Sequence, residues 1–431
     1  MLEKWYKFLI KSDTSPVCDD ISEEACEHVP ENFFRIIISN TLTKLGDALS
    51  SPKTVLVWLM TYLNVPVSII SFVVPIREAG SMLPQIFIAS FVRKKSIRKW
   101  IWVVGSLLQF LSIASIGIIA TLYRGTTAGL LILLLLILFS LSRSLSSVVS
   151  KDVMGKSIPK KRRGRLNGFS TAISGFLVLG AGLLIVLYSK ENQTLIFYSS
   201  LILFAAFLWL PAAWVYAGIK EFPGETSESK NVFKEAWSRL QLIQSDTDFR
   251  KFIIARSLLL CSALTAPFYV VLAQDYLGKQ TYVLGLFVLA NGIASSLSAP
   301  FWGKMADQSS KNVMVKGAII TAVLGISMFF IISYSSFLRT QFILYPLAVF
   351  ALGIAHSGVR LGRKTYVVDM AKGNKRTDYV SASNTIIGII LLFTGGISAL
   401  TSLISTEGTI LALSIFGLLG AFASYRLPRV E

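Results

Sequence analysis

FRIIISNTLTKLGDALSSPKTVL, residues 34–56, returns 215 positions later as FRKFIIARSLLLCSALTAPFYVV, residues 249–271. At that offset Phe34 meets Phe249, Arg35 meets Arg250, Ala48 meets Ala263, Leu49 meets Leu264, Ser50 meets Thr265, Pro52 meets Pro267 and Val55 meets Val270. The spacing recurs further along. Arg143 precedes Asp152 as Arg360 precedes Asp369, at an offset of 217, and Leu166 to Thr171 matches Val380 to Thr385 at 214. Three correspondences near one offset mean that the chain carries one plan twice.

The material repeated is apolar. Of 431 residues, 53% are hydrophobic and 15% charged, against roughly 25% charged in soluble domains. The excess arrives in runs of about 20 residues, enough to cross roughly 30 Å of hydrocarbon. AGLLILLLLILF (128–139) has no polar face at all, which suits lipid rather than water. We read about twelve such spans, from 34–62 to 407–426. The fold expected is an all-α polytopic membrane protein of twelve transmembrane helices in two six-helix pseudo-symmetric bundles. The boundaries expected are a tail over 1–33, bundles over 34–217 and 250–426, a linker over 218–249 and a short tail over 427–431. Within the linker, Val232, Phe233, Trp237, Leu240 and Ile243 have the spacing of a surface amphipathic helix.

The net charge of +18 does not read as nucleic-acid binding, because the basic residues sit in alternate short loops. That asymmetry places both termini on the cytoplasmic side of a cell inner (plasma) membrane. The polar, acidic first 33 residues do not read as a signal peptide. Three cysteines (Cys18, Cys26, Cys261) imply no disulfide framework. Cys18, Cys26 and His28 fit no standard metal spacing, so no metal is expected. No phosphate-binding loop is present, and no cofactor is expected.

Gly303-Lys304-Met305-Ala306-Asp307-Gln308-Ser309-Ser310-Lys311, after the eighth span, resembles the loop signature of the major facilitator superfamily: Gly, three residues, Asp, then basic residues. The resemblance covers nearly all of 33–428. The matching loop of the first half, 89–99, keeps Arg93 and Arg98 but has Ala89 and Arg93 where Gly and Asp are expected. The resemblance implies a cytoplasmic gate built from Arg93, Arg98, Asp152, Gly303, Asp307, Lys311 and Asp369, with the two inner-end aspartates pairing loop basics. It also implies a cavity lined by helices 1, 4, 7 and 10. The Gly-Pro motif that proton-driven drug antiporters of the family carry in helix 5 is missing. Gly175, Gly180 and Gly182 stand there without a proline.

Charges at membrane depth are the informative residues. Asn40, Lys44, Asp47 and Ser51 share one helical face, with Lys44 and Asp47 about 15–20 Å along the span. Arg77 and Glu78 lie at similar depth, with Ser81 and Gln85 extending their face. Each such charge facing lipid costs about 2.5–3.5 kcal/mol, so they must face the interior. Two readings stand: a structural salt-bridge cluster, or a proton or substrate site involving Asp47 and Glu78. His356, Arg360 and Arg363 share a face of helix 10. His356 is either a proton-coupling group or a neutral hydrogen-bonded packing residue. Arg143 and Arg360 either draw an anion or serve the gate. Ser262 and Asn384 complete the cavity candidates. We therefore expect a non-enzymatic, monomeric, proton-coupled secondary transporter of a small polar, zwitterionic or anionic solute. The alternatives are an exporter of drugs or lipid-like amphiphiles, and a transporter-like receptor without turnover.

Overall fold

The computed structural model describes residues 6, 21–188, 194–224, 226, 241–371 and 376–430. Most of the expected amphipathic stretch over 231–243 lies outside the described residues. Every regular element described is a helix. Twelve spans follow: α1 (Val29–Leu49 and Val55–Tyr62), α2 (three pieces, Val67–Ile70, Val73–Met82 and Gln85–Arg93), α3 (Lys99–Leu122), α4 (Gly125–Ser157), α5 (Lys160–Tyr188) and α6 (Leu195–Phe207 and Trp209–Ala217). The second half contains α7 (three pieces, Thr247–Leu258, Cys261–Leu264 and Ala266–Leu277), α8 (Thr281–Ala306), α9 (Ser310–Tyr334), α10 (Leu344–Met370), α11 (Arg376–Ile404) and α12 (Thr406–Tyr425).

Eleven of these are long and apolar enough to cross a membrane. The twelfth, α1, is interrupted over 50–54 and carries Glu31, Arg35, Lys44 and Asp47 in its longer piece. Pro52 removes a backbone donor at the interruption, and Ser50 Oγ closes the preceding turn by donating to the Gly46 carbonyl at 2.8 Å. α1 begins at Val29, five residues before the expected 34, because Pro30 seats the first turn where a missing N–H costs nothing. Tyr6 is buried against Phe33 and accepts from Arg162. Cys26 is disulfide-bonded, a correction to the cysteine reading.

Within each half the packing repeats. α3 lies on α4 and α6, and α9 lies on α10 and α12. Between the halves, α5 packs on α8 and α2 on α11, the same pair of helices under the internal repeat. The α5–α8 contact is tight only along part of its length. A Cβ on Gly182 would sit 3.0 Å from the Leu289 backbone nitrogen, and one on Gly285 would sit 2.9 Å from that of Val186. At Gly164, Gly168 and Gly303, nearer the end of the bundle that carries both termini, an added Cβ would meet nothing within 4 Å.

The apolar core follows the same division. The largest cluster joins both halves, with Leu56, Trp58 and Leu59 from the first and Tyr269, Val271 and Phe287 from the second. Toward the terminal end the core splits into separate clusters, the two largest one in each half. Phe33, Trp102, Val153 and Tyr216 form one cluster, and Phe249, Phe252, Tyr366 and Leu427 form another. Polar groups complete the seal at the far end. Gln274 Nε2 donates to the Trp58 carbonyl at 2.8 Å, and Lys279 Nζ to that of Tyr62 at 3.1 Å. Tyr198 Oη and Thr281 Oγ1 bond at 2.8 Å. The halves are therefore joined by one core at the far end and carry separate cores toward the terminal end.

Candidate functional site

Below the far-end seal a cavity of about 360 Å³ lies between the halves, lined by Lys44, Lys53, Thr171, Ser262, His356 and Arg360 among others. A second cavity of about 340 Å³ continues from it inside the first half, with Asn40, Gln109, Arg143, Ser147 and Lys151. Lys44 lines both, and its Nζ donates to Thr171 Oγ1 at 2.7 Å.

Four charges expected at membrane depth meet in this region, though not as one cluster. Asp47 pairs with Arg77 at 3.7 Å and with Arg143, so α1, α2 and α4 are tied through one carboxylate. Arg77 also lies over the Phe139 ring, 4.9 Å from its centroid. Glu78, next along the chain, makes no ion pair with any described residue, and the cations whose field acts on it are Lys53, Arg77, Arg363 and Arg360. Ser81 spends its hydroxyl on the Glu78 carbonyl at 2.8 Å, a local bond within α2.

Lys53 and His356 form a contact across the halves within the cavity. Ser262 Oγ donates to the Leu259 carbonyl at 3.0 Å, so it accepts from His356 Nδ1 at 3.1 Å. His356 Nε2 then carries its lone pair toward Lys53 Nζ at 3.1 Å. This hydrogen-bond pattern assigns a neutral imidazole accepting from a lysine ammonium. Arg360, one turn along α10, is exposed to the cavity.

Two cations of the site escape a sequence reading. Lys53 lies off the stripe of residues 40, 44, 47 and 51 because that stripe assumes a continuous helix. The interruption at Pro52 turns Lys53 toward α10. Arg256 is only 4% exposed and donates to Ser383 Oγ and, at 2.9 Å, to Asn384 Oδ1. Its repeat counterpart is Thr41, so the duplication gave no hint of it. Asn384 in turn faces Gln85 across the halves, with its Nδ2 3.5 Å from Gln85 Oε1.

The expected gate residues divide by half. Arg98 pairs with Asp152, which Lys156 reaches at 3.3 Å. Lys156 also bonds the fully buried Glu221 carboxylate at 3.1 Å. That carboxylate accepts the backbone N–H groups of Arg98 and Lys99 at 2.7–3.0 Å, which places an anion on the N-terminus of α3. This network joins the first half to the start of the linker. Arg93 and Asp307 are exposed, and neither forms an ion pair with a described residue. Gly303 borders open space, and Lys311 Nζ donates to the Leu427 carbonyl at 2.7 Å. Asp369 sits in the last turn of α10, while Lys372 and Lys375 beyond it lie outside the described residues.

No protein-family model and no curated protein matches the sequence. Solved structures do match. A D-xylose–proton symporter aligns at 13% identity, over 92% of this chain and 98% of its own, with a TM-score of 0.70. The nucleoside transporter NupG aligns at 12% identity, over 92% and 98%, with a TM-score of 0.66. The major facilitator superfamily proton:xylose symporter XylE, bound to 6-bromo-6-deoxy-D-glucose, aligns at 12% identity, over 94% and 97%, at 0.59. At such identities the likeness is one of architecture, and it matches the duplicated twelve-helix plan. The chain has the fold of the major facilitator superfamily.

Proposed function

We propose that the chain is a secondary active transporter that carries a small anionic solute across the membrane by alternating access. One observation carries this reading. The cavity between the halves, below the joined core of the far end, is lined by Lys44, Lys53 and Arg360, and Asp47 beside it is already paired with two arginines. Cations held at membrane depth are costly unless an anion or water meets them. The charge balance favours an anion over a zwitterion, a neutral sugar or a hydrophobic drug. The basic loops support an inner-membrane protein with both termini in the cytoplasm. We read the chain as working alone as a monomer.

The test is flux. Full-length protein in proteoliposomes should accumulate at least one of a panel of labelled anions (phosphate, succinate, a sugar phosphate), and Lys53→Gln or Arg360→Gln should reduce the rate at least tenfold. Flux confined to neutral or cationic amphiphiles would sink the anion reading and favour the exporter. Saturable anion binding with no flux would favour a receptor.

Proton coupling is the finer part of this reading. Glu78 supports it, as a carboxylate in the field of four cations with no ion pair to a described residue. A protonophore should then collapse uphill uptake, and Glu78→Gln should abolish its pH dependence. Uptake indifferent to both would leave a transporter driven by the solute gradient alone.

A further inference from the structure

An apolar notch of about 420 Å³ lies where α2, α4 and α11 meet. Ile76, Leu83 and Phe87 line it from α2, Ile137 and Leu141 from α4, and Leu392 from α11. Two small residues, Ala79 and Gly80, complete the α2 side, and a Cβ on Gly80 would come within 2.6 Å of Ser140 Cβ, so α2 and α4 touch there. By helical spacing, Ile76, Ala79, Gly80 and Leu83 lie on the side of α2 opposite Glu78 and Ser81. The notch therefore faces away from the polar cavity. Phe87, Ile137, Leu141 and Leu392 are each 39–44% exposed, on the surface that a membrane-spanning bundle presents to lipid. Leu392 belongs to the second half and the other lining residues to the first, so the notch sits on the seam between the halves.

The same helix has a cationic end. Phe87, Phe91 and Lys94 follow at steps of four and three, one face of α2, and Lys95 stands beside them. Phe91 is 52% exposed. Lys94 and Lys95 are exposed, and neither side chain makes a hydrogen bond or ion pair with any described residue. Trp100, 55% exposed at the start of α3, marks headgroup level, where indole rings collect. Leu83 lies eleven residues before Lys94, about 16 Å by helical rise, which is close to half of a hydrocarbon core roughly 30 Å thick. Two cations at headgroup level, an apolar strip beneath them and a notch ending near the midplane match an anionic head over an acyl chain. Lysines at the membrane surface attract anionic headgroups. A chain that fills the notch makes dispersion contacts that a void lacks.

We propose that the notch between α2, α4 and α11, with Lys94 and Lys95 at its terminal side, binds one anionic phospholipid, its head on the two lysines and one acyl chain in the notch. The chain then bridges the two halves at their seam. The site is separate from the central cavity and does not depend on which solute the protein carries.

Delipidated full-length protein in detergent tests it. Dioleoylphosphatidylglycerol or dioleoylphosphatidylcholine is added at equal concentration, and retained lipid is counted by native mass spectrometry. The wild type should retain phosphatidylglycerol roughly fivefold over phosphatidylcholine and unfold several degrees higher in its presence. Lys94→Gln with Lys95→Gln should lose both effects, yet unfold with the wild type in detergent alone, since both side chains are exposed. Lys160→Gln with Lys161→Gln, an exposed pair on α5, which does not line the notch, should keep both effects. Leu392→Trp and, independently, Leu141→Trp fill the notch and should lose the phosphatidylglycerol gain with Lys94 and Lys95 intact. Glycerophosphoglycerol, the head without its chains, should leave the midpoint unmoved. The proposal is overturned if the wild type retains the two lipids equally, if the two lysine pairs weaken retention alike, or if a folded notch-filling variant retains phosphatidylglycerol as the wild type does. A gain from glycerophosphoglycerol equal to that from the whole lipid overturns it as well.

Discussion

Asp47 holds Arg77 and Arg143 at once, so its removal leaves two part-buried guanidinium groups without a carboxylate. Breaking a buried pair costs about 3–5 kcal/mol, and the 23% exposure of the Asp47 side chain places the effect at the low end. Asp47→Asn should therefore lower the unfolding midpoint more than Arg77→Gln or Arg143→Gln, and adding Arg143→Gln to Asp47→Asn should restore part of the loss. A double-mutant cycle checks this; strictly additive losses would show that the pair is uncoupled. Lys53→Met makes a second test at this scale. It removes the only described hydrogen-bond partner of His356 Nε2, so pH titration of the imidazole by NMR should differ between variant and wild type. An unchanged titration would mean that the two groups are independent. The sequence made Lys44, Asp47, Arg77, Glu78 and Arg143 legible, because a charge inside an apolar run needs a reason to be there. It also showed Arg363 on the face of His356 and Arg360. It did not pair them: that Asp47 takes both arginines while Glu78 takes neither depends on helix rotation, which hydropathy does not encode. Lys53 and Arg256 were hidden for reasons of their own, a break in the helix and a neutral repeat partner.

The interruption of α1 at 50–54 is the element on which the cross-half contact depends. Pro52→Ala allows the helix to continue, which would rotate Lys53 away from His356. The expected result is a folded protein with a similar midpoint and a several-fold slower flux. A rate equal to wild type would show that the break is incidental. The α5–α8 contact gives a sharper pair of variants. Gly285→Val puts side-chain atoms against the Val186 backbone nitrogen, and overpacking of this kind costs typically 1–3 kcal/mol. Gly303→Val meets nothing within 4 Å and should leave the midpoint within about half a kcal/mol of wild type. Both residues lie on one helix, so a thermal scan of the two variants shows directly where α5 and α8 touch. The spans themselves were readable because apolar length is a strong signal. α1 was the exception, its start displaced by Pro30 and its charges lowering its apolarity.

At the scale of the molecule, the duplication was legible and the state was not. On the alternating-access reading the sequence encodes an opening at each end, and only coordinates show that the far end is the joined one here. The terminal end can be followed with spin labels at Gly168 and Gly303, which border open space on α5 and α8. Their separation should shorten when the far end opens, and an unchanging distance across all anion conditions would rule out rocking of the halves. The far-end seal sets a further property of that motion. It joins Trp58, Tyr269, Val271 and Phe287 from the two halves in one dry cluster, and parting them wets apolar surface that is buried in the present state. Hydration of apolar surface raises heat capacity. The equilibrium between the two states should then follow a curved rather than a straight van't Hoff plot, and cooling should weaken the seal. The temperature at which a cell works becomes one of the variables that decides which way this protein faces.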